Sequence, residues 1–211
     1  MAMGLVLLGQ GIPFFQGGDD MLRSKDMNQN SYDSGDWFNK IDWSGKTANS
    51  GIGLPIASQN GAQWPIMEPL LSNPSYTPQP EHIAYSRAAF LELMQIRYSS
   101  GLFRMPTFQE VQQNLTFLNT GPNQIPGVIV MRLDSNGGHY GPVKHILVIF
   151  NATSQQVTFV DASLQGLHLR LHPVQQNSSD PVTQQSTFDS GKGAATVPAL
   201  TTAVFTSKAQ D

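Results

Sequence analysis

Between Gly11 and Trp43 the chain gathers two indoles (Trp37, Trp43), the aspartates Asp26, Asp33, Asp36 and Asp42 beyond an Asp19-Asp20 pair, the cations Arg23 and Lys25 with Lys40 further on, and three asparagines. This set suits a neutral, hydroxyl-rich ligand. Carboxylates and amides accept and donate hydrogen bonds in the directions a sugar ring needs, while an indole offers an apolar platform for its C–H face. Arg23 with Asp33, Asp36 and Asn39 forms the candidate hydroxyl clamp, and Trp37 or Trp43 the platform. Two plainer roles stay open: Trp37 as a plug in the core under the loop, and Arg23 as a counter-charge to nearby aspartates. Asp33 and Asp36 lack the compact oxygen-rich loop of the EF-hand type, so no metal set is expected there.

The remaining chemistry-bearing residues offer less. His168 and His172, within LHLRLHP, share one face of a strand but lie roughly 13 Å apart at the usual rise, too far for one zinc ion. His139 reads as an exposed turn residue, and His82 and His145 have no nearby partner in sequence. The N-x-[ST] sequons at Asn114, Asn151 and Asn177 read as chance matches. With no cysteine, disulfides and thiol chemistry are excluded. A net charge of -3 with no basic run excludes a phosphate-tracking surface, so nucleic acid is not an expected partner. Residues 1–10 (MAMGLVLLGQ) are apolar but too short to span a bilayer and lack a basic n-region, so neither a targeting signal nor a membrane partner is expected.

The elements that must position the loop follow from periodicity. Ile12, Phe14 and Phe15 read as a strand started by Pro13, and Gly17-Gly18 release the backbone into a turn before Asp19 and Asp20. Residues 44–76, rich in Gly, Asn, Ser and Pro, read as an irregular segment with little helix, its turns marked by Trp64-Pro65 and Asn73-Pro74. A helix is predicted from Pro80, with Ile83, Phe90, Leu91, Met94 and Tyr98 at helical spacing, Gly101 beyond its end, and Arg87, Glu92 and Arg97 on a solvated face. From Phe108 the period becomes two. Short apolar runs around Leu115, Val128, Ile146, Val157, Leu167 and 196–205 predict an antiparallel sandwich of about eight strands, with a surface loop over 175–186.

The stretch Gly11 to Asp20 resembles the eighth barrel strand of the α-amylase superfamily. LRSKDMNQNSYDSGDWFNKIDW (Leu22 to Trp43) resembles the loop that follows it in pullulanase-type α-1,6-glucosidases, the starch-debranching enzymes that include plant limit dextrinases. FLNTGPNQIPGVIVM, LHPVQ and VPALTTAVF extend the resemblance over essentially the whole chain, but only to the last part of the family protein. It implies an α+β composite: residues 1–105 as the last strand, substrate-side loop and last helix of a (β/α)8 barrel, and 106–211 as an all-β C-terminal sandwich. Because one barrel strand without its neighbours leaves unpaired backbone edges and exposed apolar surface, residues 1–100 are expected to be poorly ordered or aggregation-prone in isolation, while 106–207 could fold alone. It implies a parent that hydrolyses α-1,6 linkages of pullulan, amylopectin or limit dextrin without a cofactor. The family's three catalytic carboxylates would then lie upstream of Met1, in a missing N-terminal barrel that becomes this chain's natural partner. Retaining hydrolysis needs two carboxyl groups about 5 to 5.5 Å apart across one bond, so none of Asp19, Asp20, Asp33 or Asp36 is assigned as catalytic. The alternative is a free-standing, non-catalytic α-glucan-binding or scaffolding module.

Overall fold

The computed structural model describes residues 1–137 and 140–207, so His139 lies outside the described residues. In chain order its helices are α1 (Ala2–Leu8), α2 (Asp36–Asn39), α3 (Ala57–Asn60), α4 (Trp64–Leu71), α5 (Pro80–Ser99), α6 (Phe108–Asn114) and α7 (Pro173–Gln176). Its strands are β1 (Leu115–Phe117), β2 (Val128–Asp134), β3 (His145–Asn151), β4 (Val157–Val160), β5 (Leu169–Leu171), β6 (Thr187–Asp189), β7 (Ala194–Val197) and β8 (Thr201–Ser207). By packing the chain divides into one unit of Met1–Phe14 with Ala89–Asp211 and a second of Phe15–Ala88.

In the first unit all strand pairs are antiparallel, in a five-stranded sheet of order β1-β2-β3-β8-β5 and a three-stranded sheet of order β4-β7-β6. The expected sandwich is present, and so is a further layer. Leu147 and Ile149 of β3 face a core shared with Phe159, Ala195, Val197 and Phe205. Their neighbours Ile146, Val148 and Phe150 face a second core with Leu8 of α1, Ile96 of α5, Leu102, Phe103 and Met105. A strand covered on both faces needs apolar residues at every position, which is why 146–150 reads as an unbroken run. Residues before 106 therefore supply one wall of this unit.

Several expectations are corrected. Ile12 and Phe14 are 81% and 83% exposed and residues 12–16 form no strand, because a strand exists only when a neighbour takes up its backbone groups, and none lies alongside among the described residues. The segment 44–76 is more helical than expected. Pro65 sits in the first turn of α4, where a missing N–H costs nothing, so Trp64-Pro65 starts a helix rather than a turn. Phe108 opens α6 rather than a strand, fixed by a capping box in which Thr107 and Glu110 satisfy each other's backbone N–H groups.

Helix α5 spans the expected residues, but two of its charged side chains are not solvated. Arg97 is buried and donates to the carbonyl oxygens of Leu7 (2.6 Å), Gly9 (2.8 Å) and Gly11 (2.5 Å), anchoring the chain as it leaves α1. Burial, with Arg104 nearby, pulls its pKa below the ordinary arginine value. Glu92, half-buried, accepts from the Ser178 hydroxyl (2.6 Å) and from the backbone N–H (3.0 Å) and hydroxyl (3.2 Å) of Ser179. Within the expected surface loop, Gln175 is buried and bridges β8, donating to the Thr202 carbonyl (2.8 Å) and accepting from the Val204 N–H (2.7 Å). Such non-local acceptors leave no trace in hydropathy.

The histidines also differ from expectation. His145 lies opposite Asp134 in the β2–β3 register, Nδ1 to Oδ1 2.7 Å, and His82 Nδ1 accepts from the Gln79 N–H. Burial alone would push the Asp134 carboxyl up, but hydrogen bonds and charge from His145 and Arg132 outweigh it and hold the group below the usual carboxylate range. His168 and His172 flank β5 without sharing an environment: His168 is exposed and His172 buried. His172 caps α7, its Nδ1 accepting from Val174 N–H at 3.2 Å while Nε2 meets the Ser99 hydroxyl at 3.1 Å. Because that hydroxyl donates to Ile96 O, Nε2 carries the proton and donates to Ser99, which rules out His172 as a base for this serine. Of the sequons, Asn114 and Asn151 are buried in structural hydrogen bonds and Asn177 is exposed.

Candidate functional site

The candidate residues all fall in the Phe15–Ala88 unit, in the loop between a glycine turn and α3. The turn forms as expected, and its geometry requires glycine. Gly18 adopts φ +97°, and a Cβ there would lie 2.7 Å from the Arg23 side chain. Arg23 therefore folds back across the turn. Its guanidinium donates to Gly17 O (2.9 Å) and to the carbonyl of Asn39 at the end of α2. Among the described residues no ion pair joins it to a carboxylate, so it ties α2 to the turn instead of neutralising an aspartate.

The Asn39 side chain continues this frame. Its Nδ2 donates to Ser31 O (2.7 Å), and its Oδ1 accepts from the Ser31 hydroxyl (2.7 Å) and from Lys25 Nζ (2.5 Å). Desolvation, and then the positive charge of Arg23, lower the Lys25 pKa. Inside the same loop Asn28 donates to the Ser34 hydroxyl at 3.0 Å, both groups buried. A segment with no apolar period is thus braced by side-chain hydrogen bonds beside a small apolar cluster of Met21, Ala48 and Ile83 with Ile41.

What the frame presents outward is Asp33, Asp36 and Trp37. Both carboxylates are exposed. Trp37 is 56% exposed, with the 1%-exposed Phe38 edge-on beneath it at 5.4 Å between ring centroids. The core plug is therefore Phe38. Trp43 (75%) and Tyr32 (89%) add further open aromatic surface on the same loop. Of the five candidates, the structure joins Arg23 and Asn39 in the frame and leaves Asp33, Asp36 and Trp37 on the surface. Asp42 closes its own turn: hydrogen bonds from Ser44 and Thr47 hold its carboxyl at about 2.

Sequence reasoning missed Asp26. It is 1% exposed, and its carboxylate accepts from the N–H groups of Gly51 (2.9 Å), Ile52 (2.9 Å) and Gly53 (3.3 Å). The only local hint was Ser24-x-Asp26, whose hydroxyl and carboxylate meet at 2.9 Å.

Comparison with known proteins places this architecture. Residues 45–208 match the family model for the C-terminal region of pullulanase-type α-1,6-glucosidases. The chain is 44% identical to chloroplastic pullulanase 1 of Arabidopsis thaliana, over 97% of this chain and 22% of that protein. It is 32% identical to the pullulanase of Klebsiella pneumoniae, over 97% of this chain and 19% of that protein. The solved apo pullulanase of Klebsiella pneumoniae superimposes with a TM-score of 0.85 at 31% identity, over 98% of this chain and 22% of that one. A maltotriose complex of PulA from the same organism gives the same TM-score and identity. The chain belongs to the pullulanase-type α-1,6-glucosidases and corresponds to their C-terminal portion. It spans about a fifth of the length of the relatives it matches.

Proposed function

We propose that this chain is the C-terminal part of a debranching glycoside hydrolase that cleaves α-1,6-glucosidic linkages in pullulan, amylopectin or limit dextrin. In this reading residues 1–105 end a (β/α)8 catalytic barrel and 106–211 form its β-sandwich. The barrel strand at 12–15 pairs when the preceding strands are present. The catalytic carboxylates lie in the upstream barrel, which is the chain's partner.

The chain's own contribution is a glucan-contacting surface. Asp33 and Asp36 accept hydrogen bonds from sugar hydroxyls, Trp37 stacks on the apolar face of a glucose ring, and Arg23 and Asn39 hold α2 so that these groups are presented together. Barrel enzymes take their substrate-contacting groups from loops at the C-terminal ends of the strands, the position this loop occupies in the family resemblance. The observation that carries the proposal is a half-open indole beside exposed carboxylates on a loop braced by buried hydrogen bonds.

Two measurements test it. Trp37→Ala and Asp36→Ala, made in the protein that carries this chain, are expected to weaken binding of a branched maltooligosaccharide about tenfold, the scale of a lost aromatic or charge-assisted contact. The 211-residue chain alone is expected to release no reducing sugar from pullulan. Hydrolysis at an ordinary enzymatic rate by the chain, freed of host glycosidases, would overturn the assignment.

A further inference from the structure

The buried Asp26 carboxylate gathers three consecutive N–H groups from residues 25 to 27 positions away. A carboxylate in a concave run of backbone N–H groups is a strong, geometrically specific clasp. Asp26 and Met27 both sit at positive φ, +43° and +63°. Two successive non-glycine residues in the left-handed region persist only where the surroundings over-determine them. The segment they hold, Gly51–Gly53, is equally constrained: Gly51 has φ +71°, and a Cβ on it would strike Leu71 O at 2.8 Å.

The end of that strap backs the candidate platform. A Cβ on Gly53 would lie 3.1 Å from Trp37 Cη2 and 3.2 Å from Cζ3, tighter than ordinary contact, so the benzene end of the indole rests against the Gly53 backbone. At the other end a Cβ on Gly35 would lie 3.4 Å from Cδ1 and Nε1. The indole thus spans two glycines with Phe38 edge-on, and the strap's position is set by Asp26. All of these residues belong to one packing unit.

We propose that Asp26 and Gly53 are positioning residues for glucan recognition: Asp26, through the Gly51–Gly53 strap, fixes the plane of the Trp37 indole and so sets how tightly the loop stacks on a glucose ring. This rests on the reading of Trp37 as a glucan platform. Neither residue touches the sugar.

Gly53→Ala is a clean perturbation, because Gly53 does not occupy the positive-φ region and alanine adds only the methyl group that meets the indole. In the native protein that carries this chain, maltotriose titration is made for Gly53→Ala, Trp37→Ala and the double variant, with near-UV circular dichroism reporting the indole and a denaturant transition reporting stability. Gly53→Ala is expected to weaken binding about fivefold, to alter the near-UV signal and to leave the unfolding midpoint in place. In the Trp37→Ala background the same substitution is expected to have no further effect, since a positioning residue has nothing left to position. Asp26→Asn is expected to move the near-UV signal in the same sense, with a loss of stability that Gly53→Ala does not share.

If Trp37→Ala weakens binding but Gly53→Ala leaves affinity unchanged, or weakens it equally in both backgrounds, the positioning role is refuted and the platform stands. If Trp37→Ala leaves maltotriose affinity unchanged, the platform reading itself fails and takes this inference with it.

Discussion

Acidification should destabilise the sandwich unit in a window set by one histidine. Burial of His172 in the crook between α5 and α7 pulls its pKa from 6.5 to about 4. A base whose folded pKa is depressed binds its proton in the unfolded chain first. Between about 6.5 and 4 the unfolded state therefore holds more protons than the native one, and stability falls as pH falls through that range. Above it both states are neutral, and below it both are charged, so the loss levels off. A displacement of this size corresponds to about 3 kcal/mol at most, a large part of the roughly 5 to 15 kcal/mol that holds a domain together.

His172→Asn separates this effect from other titrations. Asparagine retains an acceptor for the Val174 N–H at the start of α7 and is a favourable N-cap, but it carries no titrating group. Asp134 and Glu110, whose folded pKa values are lowered, lose their contribution only as pH falls below their ordinary values of 3.8 and 4.5. The three tryptophans, Trp37, Trp43 and Trp64, all lie in the Phe15–Ala88 unit. Their fluorescence reports the wrong part of the chain. Urea transitions should therefore be followed by far-UV circular dichroism, where the strands dominate, at pH 7, 5.5 and 4. The wild type is expected to lose about 3 kcal/mol between pH 7 and 4 and the variant about 1 kcal/mol or less. Parallel losses in both proteins would refute His172 as the origin.

Two further outcomes follow from the same unit. Arg97→Met keeps the volume but leaves the carbonyls of Leu7, Gly9 and Gly11 without their donor. A loss of about 3 kcal/mol is expected, read from the urea midpoint, because the buried Leu7 carbonyl and the partly buried bonds to Gly9 and Gly11 lose a charged donor together; a loss under about 1 kcal/mol would show that water replaces the guanidinium. Residues 106–207 expressed alone are expected not to fold cooperatively, contrary to what their strand pattern suggests. They lack Leu8, Ile96, Leu102, Phe103 and Met105, side chains whose burial together supplies about 10 kcal/mol. A sharp thermal transition without binding of a hydrophobic dye would overturn this.

The contrast between what the sequence discloses and what it conceals follows the range of the interactions. Strand β3 was legible because Ile146–Phe150 is apolar on both faces, a local pattern, and α5 because its apolar spacing and its Pro80 start are local as well. Helix α6 is also written locally, as Thr107-x-x-Glu110, a signal that a period-two reading begun at Phe108 does not use. The errors at Arg97, Glu92 and Gln175 have another origin. Each is a polar residue whose partners lie 27 or more positions away, and a polar residue on a helix reads as solvated unless those partners are known. The strand expected at Ile12–Phe15 fails for the converse reason: its apolar pattern is local, but no neighbouring strand lies alongside it among the described residues. The loop shows both limits at once. Composition singled out Arg23, Asp33, Asp36, Trp37 and Asn39 together without separating the frame from the exposed groups, and it could not tell Asp26 from the other aspartates. Only the fold brings Gly51–Gly53 within 3.3 Å of that carboxylate, and with it the residue that fixes where the indole lies.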